Sequence, residues 1–444
     1  MSSAPDSDLT SRTSKALWIP VIWLFIAGSR PISGWLNVGA VADTTDKYLE
    51  GSPIDRNIFT ALILAAIIVL VLRGPQVGRL LRANWPLILF LLYCGLSIVW
   101  SGFRDVAFKR WIRAVGDIAM VSVVLTDPKP FNAVKKFLWR TGSVIFPLSI
   151  LFDLGRGLTG RGWHYGLTLN KNMYGLISMI LGVGVAWQFL MILHDRERAG
   201  RRKQLFVYGS IVAMAMWCLW SANSATSAAC FLLGTILIMV MKRWRVAQKP
   251  AFVHLFVASV VFLAVYASLL NPNLGIISAM GKDPTLTGRT DLWPSLIAMT
   301  PSPWFGAGFE SFWLGSRLTS LWHTFVWRPN EAHNGYIEIY LNLGWVGLIL
   351  FGIVLVTGYR RAVKTFRQSG DIGRLSLAYF VVAIVYNLTE AGFRIFSPAW
   401  IVFLLSIIAA SRSWREHEST KPADVMHRPY EISGLRYHRS DSFA

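Results

Sequence analysis

An all-α, polytopic integral membrane protein with about 12 transmembrane helices is the fold class this sequence predicts, and three observations predict it. Of 444 residues, 54% are hydrophobic and 15% charged, whereas soluble domains carry charge on about a quarter of their residues; the mean hydropathy is +0.45. Apolar stretches recur near 16–33, 58–72, 86–100, 112–125, 137–152, 172–193, 205–220, 226–241, 251–270, 335–358, 375–389 and 398–410. Basic residues, finally, are divided unevenly between alternate connections.

Taken in order, the first stretch follows a polar start with Asp6 and Asp8 and has no small-residue cleavage site before the next connection. It reads as an anchor rather than a removable signal peptide. Several later stretches fall short of the roughly 20 residues that span a hydrocarbon core, so their ends are soft and one pair is open to a re-entrant reading. The expected organisation is nine helices over 1–270, one long periplasmic loop over 271–334, three helices over 335–411, and a polar tail of mixed charge over 412–444. The connections 73–82, 127–140, 194–203, 242–249 and 360–374 hold 21 Lys and Arg against 4 acids. The opposite set, 34–57, 101–111, 153–171, 271–334 and 390–397, holds 13 against 11. Both termini are therefore expected in the cytoplasm. This topology accounts for the net charge of +20 without a nucleic-acid partner.

Cys94, Cys218 and Cys230 all lie inside apolar stretches and read as core residues, not as a disulfide framework. The sequence has no internal repeat, Walker or dinucleotide glycine pattern, paired CxxC or HExxH, which removes support for ATP-driven transport and zinc hydrolysis.

Chemistry is expected in the long loop, because other connections are mostly short and long loops carry function. Within it, Thr290 reads as the cap of a short helix that stops before Pro301, with Leu292, Trp293, Leu296 and Ile297 lying on the membrane surface. Gly288 and Arg289 just before that cap would suit a phosphate, although Arg289 could equally snorkel or pair with Asp291. In Pro329-Asn330-Glu331-Ala332-His333-Asn334-Gly335-Tyr336, Asn330 reads as the cap of the tenth span, with His333 at the third helical position. The positive end of the helix dipole disfavours imidazolium there, which suits a general base. Gly344 and Gly347, deeper on that helix, would permit close helix packing. Arg156, Arg161, Trp163, His164, Lys171 and Asn172 form a third group on the external side, where basic residues could face an anionic headgroup or pyrophosphate or simply pair with Asp153. Trp304, Trp313, Trp322 and Trp327 suit a membrane interface or the C–H face of a sugar. His323, Glu310 and Glu331 complete no recognisable ligand set, so no metal and no cofactor are expected.

Three segments in order, Gly288-Arg289-Thr290-Asp291-Leu292-Trp293, Pro303-Trp304-Phe305-Gly306-Ala307-Gly308-Phe309-Glu310 and His333-Asn334-Gly335-Tyr336-Ile337-Glu338 with Gly344 eleven positions after His333, resemble the O-antigen ligase and polymerase superfamily. The resemblance covers about 90–410 and is closest to exopolysaccharide polymerases. Trp100-Ser101 and Asn170-Lys171-Asn172 also look like that branch. It implies a glycosyltransferase-C-like membrane core in a bacterial inner membrane and a metal-independent, inverting transfer from a polyprenyl-pyrophosphate-linked oligosaccharide to a glycan acceptor on the periplasmic side. His333 would take the proton from the acceptor hydroxyl. Arg289 and Arg161 would hold the pyrophosphate, and Lys171, Asn172, Asn334, Tyr336 and Glu310 would bind substrate. Further partners implied are the lipid bilayer, a chain-length regulator and export machinery. The motifs do not separate a polymerase from a ligase that uses lipopolysaccharide core as acceptor. A lipid-linked sugar transporter or flippase, expected to show inverted repeats or broken, charged midplane helices that the sequence does not clearly show, and a non-catalytic assembly factor are the remaining alternatives.

Overall fold

The computed structural model describes residues 13–36, 52–158, 165–243, 249–266, 287–368 and 370–412. Every one of the twelve apolar stretches carries a helix: α1 (Trp18–Ala27), α2 (Pro53–Leu72), then, after the amphipathic α3 (Gly74–Ala83), α4 (Trp85–Leu96), α5 (Arg104–Leu125), α6 (Pro130–Leu158), α7 (Lys171–His194), α8 (Arg201–Ala222), α9 (Ala225–Arg243) and α10 (Pro250–Val265). Two helices from the long loop follow, α11 (Thr287–Ala298) and α12 (Ser316–Thr324), before α13 (Gly335–Gln368), α14 (Gly370–Tyr386) and α15 (Pro398–Ala409). No strand occurs among the described residues. By length and composition five of these helices can cross a membrane, α2, α6, α7, α8 and α13, and a sixth span results if α3 and the segment from Trp85 to Trp100, bent by 85°, count as one. The protein is thus a multi-pass membrane protein, while the count of twelve spans goes beyond what helix length supports.

Burial sorts the helices. The apolar window of α7 is 78% buried against 22% for α2, so α7 is the central post and α2 faces outward with Leu64, Ile68, Val71 and Leu72 exposed. Glycines let neighbours close on α7: a Cβ at Gly184 would lie 2.6 Å from the Tyr379 hydroxyl, which donates 2.9 Å to the Ile180 carbonyl. The three cysteines are buried, unpaired core residues, as expected. A buried carboxylate fastens α5 to α1 and to the segment before α15: Asp117 accepts from Trp23 Nε1 and from the Phe396 amide, each at 2.9 Å.

The described part of the long loop is a folded cap with its own core, in which Leu292, Leu296, Phe312, Trp313, Leu318 and Leu321 are buried together. This corrects the expectation that α11 lies on the membrane: its apolar face is used inside the cap, and only Ile297 of the four residues is exposed. The helix also begins at Thr287 rather than after Thr290, so Gly288 and Arg289 lie within its first turn. It ends before Pro301 as expected.

A second correction concerns Gly344. It does not serve helix packing; with φ 62° and ψ −163° it breaks α13. The groups freed at the break are taken up by the 303–308 loop, since Ala307 and Gly308 donate to the Leu341 and Asn342 carbonyls at 3.0 and 2.9 Å while Trp345 donates to Pro303 O at 2.9 Å. A broken helix survives in a membrane protein only where protein or water satisfies its backbone in this way. The main chains approach so closely that a Cβ at Gly344 would sit 2.3 Å from the Trp304 carbonyl atoms. Gly344→Ala is therefore expected to cost well over the roughly 1–2 kcal/mol of a left-handed backbone alone. Gly352→Ala, where a Cβ meets nothing within 4 Å, should be neutral. Thermal melts of the two variants in detergent test the difference; equal melting would contradict the docking.

Candidate functional site

The three motif segments fold into one unit. Trp293 Nε1 donates to the Ala332 carbonyl at 2.9 Å. Buried Glu338 accepts from the Ala332 amide at 2.6 Å and from Trp313 Nε1 at 2.9 Å. Asn342 Oδ1 accepts from the Ser311 and Phe312 amides at 2.9 and 3.1 Å. The Trp100-Ser101 pair braces the same loop, through Trp100 Nε1 to the Phe305 carbonyl at 3.2 Å and the Ser101–Ser311 hydroxyl contact at 2.8 Å.

His333 stands just outside α13, in left-handed conformation with φ 49°. The cap of this helix is Asn334, not Asn330: Asn334 Oδ1 accepts from the Tyr336 and Ile337 amides at 3.0 and 3.1 Å. His333 therefore precedes the cap instead of occupying the first helical turn. Two carboxylates flank its ring. His333 Nδ1 lies 3.1 Å from Glu331 and 3.3 Å from Glu390. An imidazole that donates Nδ1–H to a carboxylate presents Nε2 as its lone-pair nitrogen, and among the described residues Nε2 has no hydrogen-bond partner. Trp327, half exposed, lies beside the ring with centroids 6.0 Å apart.

The segment after α14 holds His333 in place. Gly335 N–H donates to the Asn387 carbonyl at 2.9 Å and Asn334 Nδ2 to the Leu388 carbonyl at 3.0 Å. Asn334 and Tyr336, substrate candidates from sequence, thus have their polar atoms on main chain, the Tyr336 hydroxyl on Ile384 O at 3.2 Å.

Glu331 and Glu390 line an open cleft of ≈ 1240 Å³ together with Arg110, Arg113, Glu310 and Arg394. Arg394 bridges Glu310 and Glu331 at 3.9 and 3.5 Å, and Arg110 donates to the Glu310 carbonyl. Arg113 stacks its guanidinium 4.7 Å from the Phe59 ring centroid and 5.9 Å from that of Phe396. Among the described residues no carboxylate lies within ion-pair distance of it. A groove of ≈ 1330 Å³ between α2 and α5 has one apolar wall of Phe59, Ile63, Phe108 and Ile112 and a charged mouth with Asp55, Arg56 and Lys109, and it shares Arg110, Arg113 and Phe396 with the cleft.

Of the other sequence candidates, Glu310 and Asn172 line the cleft, and Lys171 is exposed at the start of α7, where Asn170 Oδ1 caps the Met173 amide at 2.8 Å. Arg161, with Trp163 and His164, lies outside the described residues, as does the Arg289 side chain. Sequence reasoning missed Arg110, Arg113, Glu390 and Arg394. The signal for Arg113 was present: a charged residue inside the 112–125 stretch, four positions before Asp117, is a functional candidate on its own. Glu331, His333 and Glu390 also bring three metal-ligand-type atoms within 4.8 Å of one another, a set hidden in the sequence because Glu390 is 57 residues from His333.

The family model described as O-antigen ligase matches residues 208–352, a span that contains all three motif segments and His333. The resemblance read from the motifs is borne out, and the class so defined is that of membrane enzymes of the polysaccharide-ligase type. The exopolysaccharide production protein ExoQ of Rhizobium meliloti is 26% identical over 336 residues, covering 73% of this chain and 75% of that protein. A Rickettsia felis protein named "Putative polysaccharide ligase" is 23% identical over 259 residues, 54% of this chain and 60% of that one.

Glu390→Gln keeps the shape of the side chain but removes one of the two carboxylate charges near Nδ1, the one in hydrogen-bond geometry with it. In a membrane assay of glycan transfer it is expected to lower the turnover number about tenfold or more, as loss of an orienting carboxylate does, with donor and acceptor KM near wild type. Unchanged turnover would contradict an orienting role.

Proposed function

We propose that the protein joins polyprenyl-pyrophosphate-linked oligosaccharide repeats into an exopolysaccharide or O-antigen-like chain on the periplasmic face of the inner membrane, by a one-step, inverting, metal-independent transfer. The observation that carries this reading is the cleft itself, whose wall brings Glu331 and Glu390, the two carboxylates beside His333, to the same space as Arg110, Arg113 and Arg394, with Arg110 and Arg113 also lining the groove between α2 and α5. Its chemistry matches the two halves of such a donor: a pyrophosphate for Arg110, Arg113 and Arg394, and a prenyl chain for the groove between α2 and α5. Arg113 is the best placed of the three, because among the described residues no carboxylate lies within ion-pair distance of its N–H fork, Asp117, Asp55 and Glu310 acting on it only at longer range, and a fork suits phosphate oxygens. Arg289 and Arg161 are further phosphate contacts in this reading, Arg289 through α11, whose Trp293 is bonded to the His333 segment.

In the transfer, His333 Nε2 takes the proton of the acceptor hydroxyl as its oxygen bonds to the anomeric carbon. The bond from that carbon to the pyrophosphate oxygen breaks, and its electron pair leaves with the pyrophosphate. Glu390 stabilises the imidazolium formed, and the arginines compensate the charge on the leaving group. Arg394 supplies the positive charge between Glu310 and Glu331, so the carboxylates need no metal to coexist. The name of the Rhizobium relative, an exopolysaccharide production protein, agrees with a secreted polysaccharide as product, while the family model and the Rickettsia relative carry ligase names.

The direct test incubates purified protein with lipid-linked repeats and looks for a ladder of longer chains with release of polyprenyl pyrophosphate; wild-type protein that makes none overturns the reading. The ladder should persist in EDTA, and its loss on chelation would transfer Glu331, His333 and Glu390 to a metal site. His333→Ala is expected to reduce product about a hundredfold or more, the scale of a positioned base, at normal protein level. Arg113→Lys should fail nearly as badly as Arg113→Ala, and a fully active Lys variant would reduce Arg113 to a generic cation. For orientation, Ser316→Cys should react with an impermeant thiol reagent in intact spheroplasts and Arg367→Cys only after permeabilisation. The reverse pattern would place the cleft in the cytoplasm.

A further inference from the structure

At the end of α13 far from His333, one helical face changes character within a turn. Ile349, Ile353 and Val356 are exposed apolar residues, and Arg360, Lys364 and Arg367, also exposed, continue the same stripe. Successive spacings of four, three, four, four and three residues keep all six on one side of the helix. Beside this end of α13, α10 leaves Leu255, Phe262 and Leu263 more than 60% exposed. It is tied to α13 by His254 Nδ1, 2.8 Å from the Tyr359 hydroxyl.

Where the stripe turns cationic, His254, Arg360, Lys364 and Arg367 surround one open space of ≈ 830 Å³, with Val363 and Gln368 completing its wall. No carboxylate lines it among the described residues. Cations at i, i+4 and i+7 repel one another, and among the described residues no carboxylate lies within ion-pair distance of these three. Arg361, next in sequence, behaves differently: it donates to Asn84 Oδ1 at 3.0 Å and fastens α13 to the start of α4. The three outward cations have no such structural task.

We propose that this pocket binds the phosphate-bearing headgroup of an anionic lipid, whose acyl chains lie along Ile349, Ile353 and Val356 and the bare face of α10. The shared chemistry is a phosphate anion, and the apolar half of the stripe favours the lipid over free phosphate. Basic pockets between helices at a membrane surface take headgroups for this reason. The site is independent of the His333 cleft and of the reaction assigned to it.

The test exposes the purified full-length protein to mixed phosphatidylglycerol and phosphatidylcholine micelles and counts retained lipids by native mass spectrometry. Wild type is expected to keep phosphatidylglycerol in preference, and Arg360→Gln/Lys364→Gln/Arg367→Gln to keep tenfold less. Arg196→Gln/Arg202→Gln/Lys203→Gln, an equal loss of charge at another exposed basic connection, should retain it as wild type does. Equal losses in both triple variants would show general charge attraction and overturn the site. Displacement of the lipid by millimolar inorganic phosphate would overturn the lipid assignment. Lys364→Gln alone, a single exposed change, should still lower retention should the first triple variant fail to fold, and unchanged retention in it would overturn the proposal.

Discussion

The contact between Gly335 and Asn387 is the constraint on which the cleft depends. A Cβ at residue 335 would lie 2.0 Å from Asn387 Oδ1, so only glycine lets the head of α13 reach the end of α14. Asn387 is itself fully committed: its Oδ1 accepts from the Phe393 amide at 2.7 Å and its Nδ2 donates to Ala383 O at 2.8 Å. One buried residue thus fixes both segments, its main-chain carbonyl taking the Gly335 amide close to His333 and its side chain the Phe393 amide beside Arg394, in the stretch that also carries Glu390. Opening this junction would strand buried donors at about 1–3 kcal/mol each, which keeps the histidine and its carboxylate in register although they are far apart in sequence.

The same economy runs through the cap. Glu338 and Trp293 are motif residues and Asn342 lies one turn beyond Glu338, yet their side chains bind main chain or other cap residues rather than facing the cleft. The motifs are therefore largely a recipe for docking the 303–313 loop and the 330–334 segment onto a broken helix. Glycine at 306 and 344 is required because two backbones touch there, with φ 67° and 62°. The groups to which the proposed transfer gives a chemical role are fewer, and they come from three parts of the chain: α5, the His333 segment and the stretch between α14 and α15.

This explains what could be read in the sequence. Helices, the anchor of the fold, were legible because hydropathy acts locally, and the long loop stood out by its length. His333 was legible from its motif. Its caps and neighbours were not: Asn330 and Asn334 are both good caps, and only the tertiary hydrogen bonds of Asn334 decide between them. The Leu292 and Leu296 face has the same pattern whether it meets lipid or a small protein core. Glu390 and Arg394 lie in a short connection that looked like a simple turn, and they gain meaning only when α14 folds back beside α13. Arg113 was the one missed residue with a local signal, a charge inside an apolar stretch.

The most direct measurement is an experimental structure of the protein with a bound polyprenyl-pyrophosphate glycan that resists transfer. The account predicts pyrophosphate density within hydrogen-bond reach of Arg113, the prenyl chain between α2 and α5, and His333 Nδ1 on Glu390 with Nε2 turned to the sugar. A pyrophosphate bound away from this cleft, or His333 facing neither sugar nor Glu390, would contradict it.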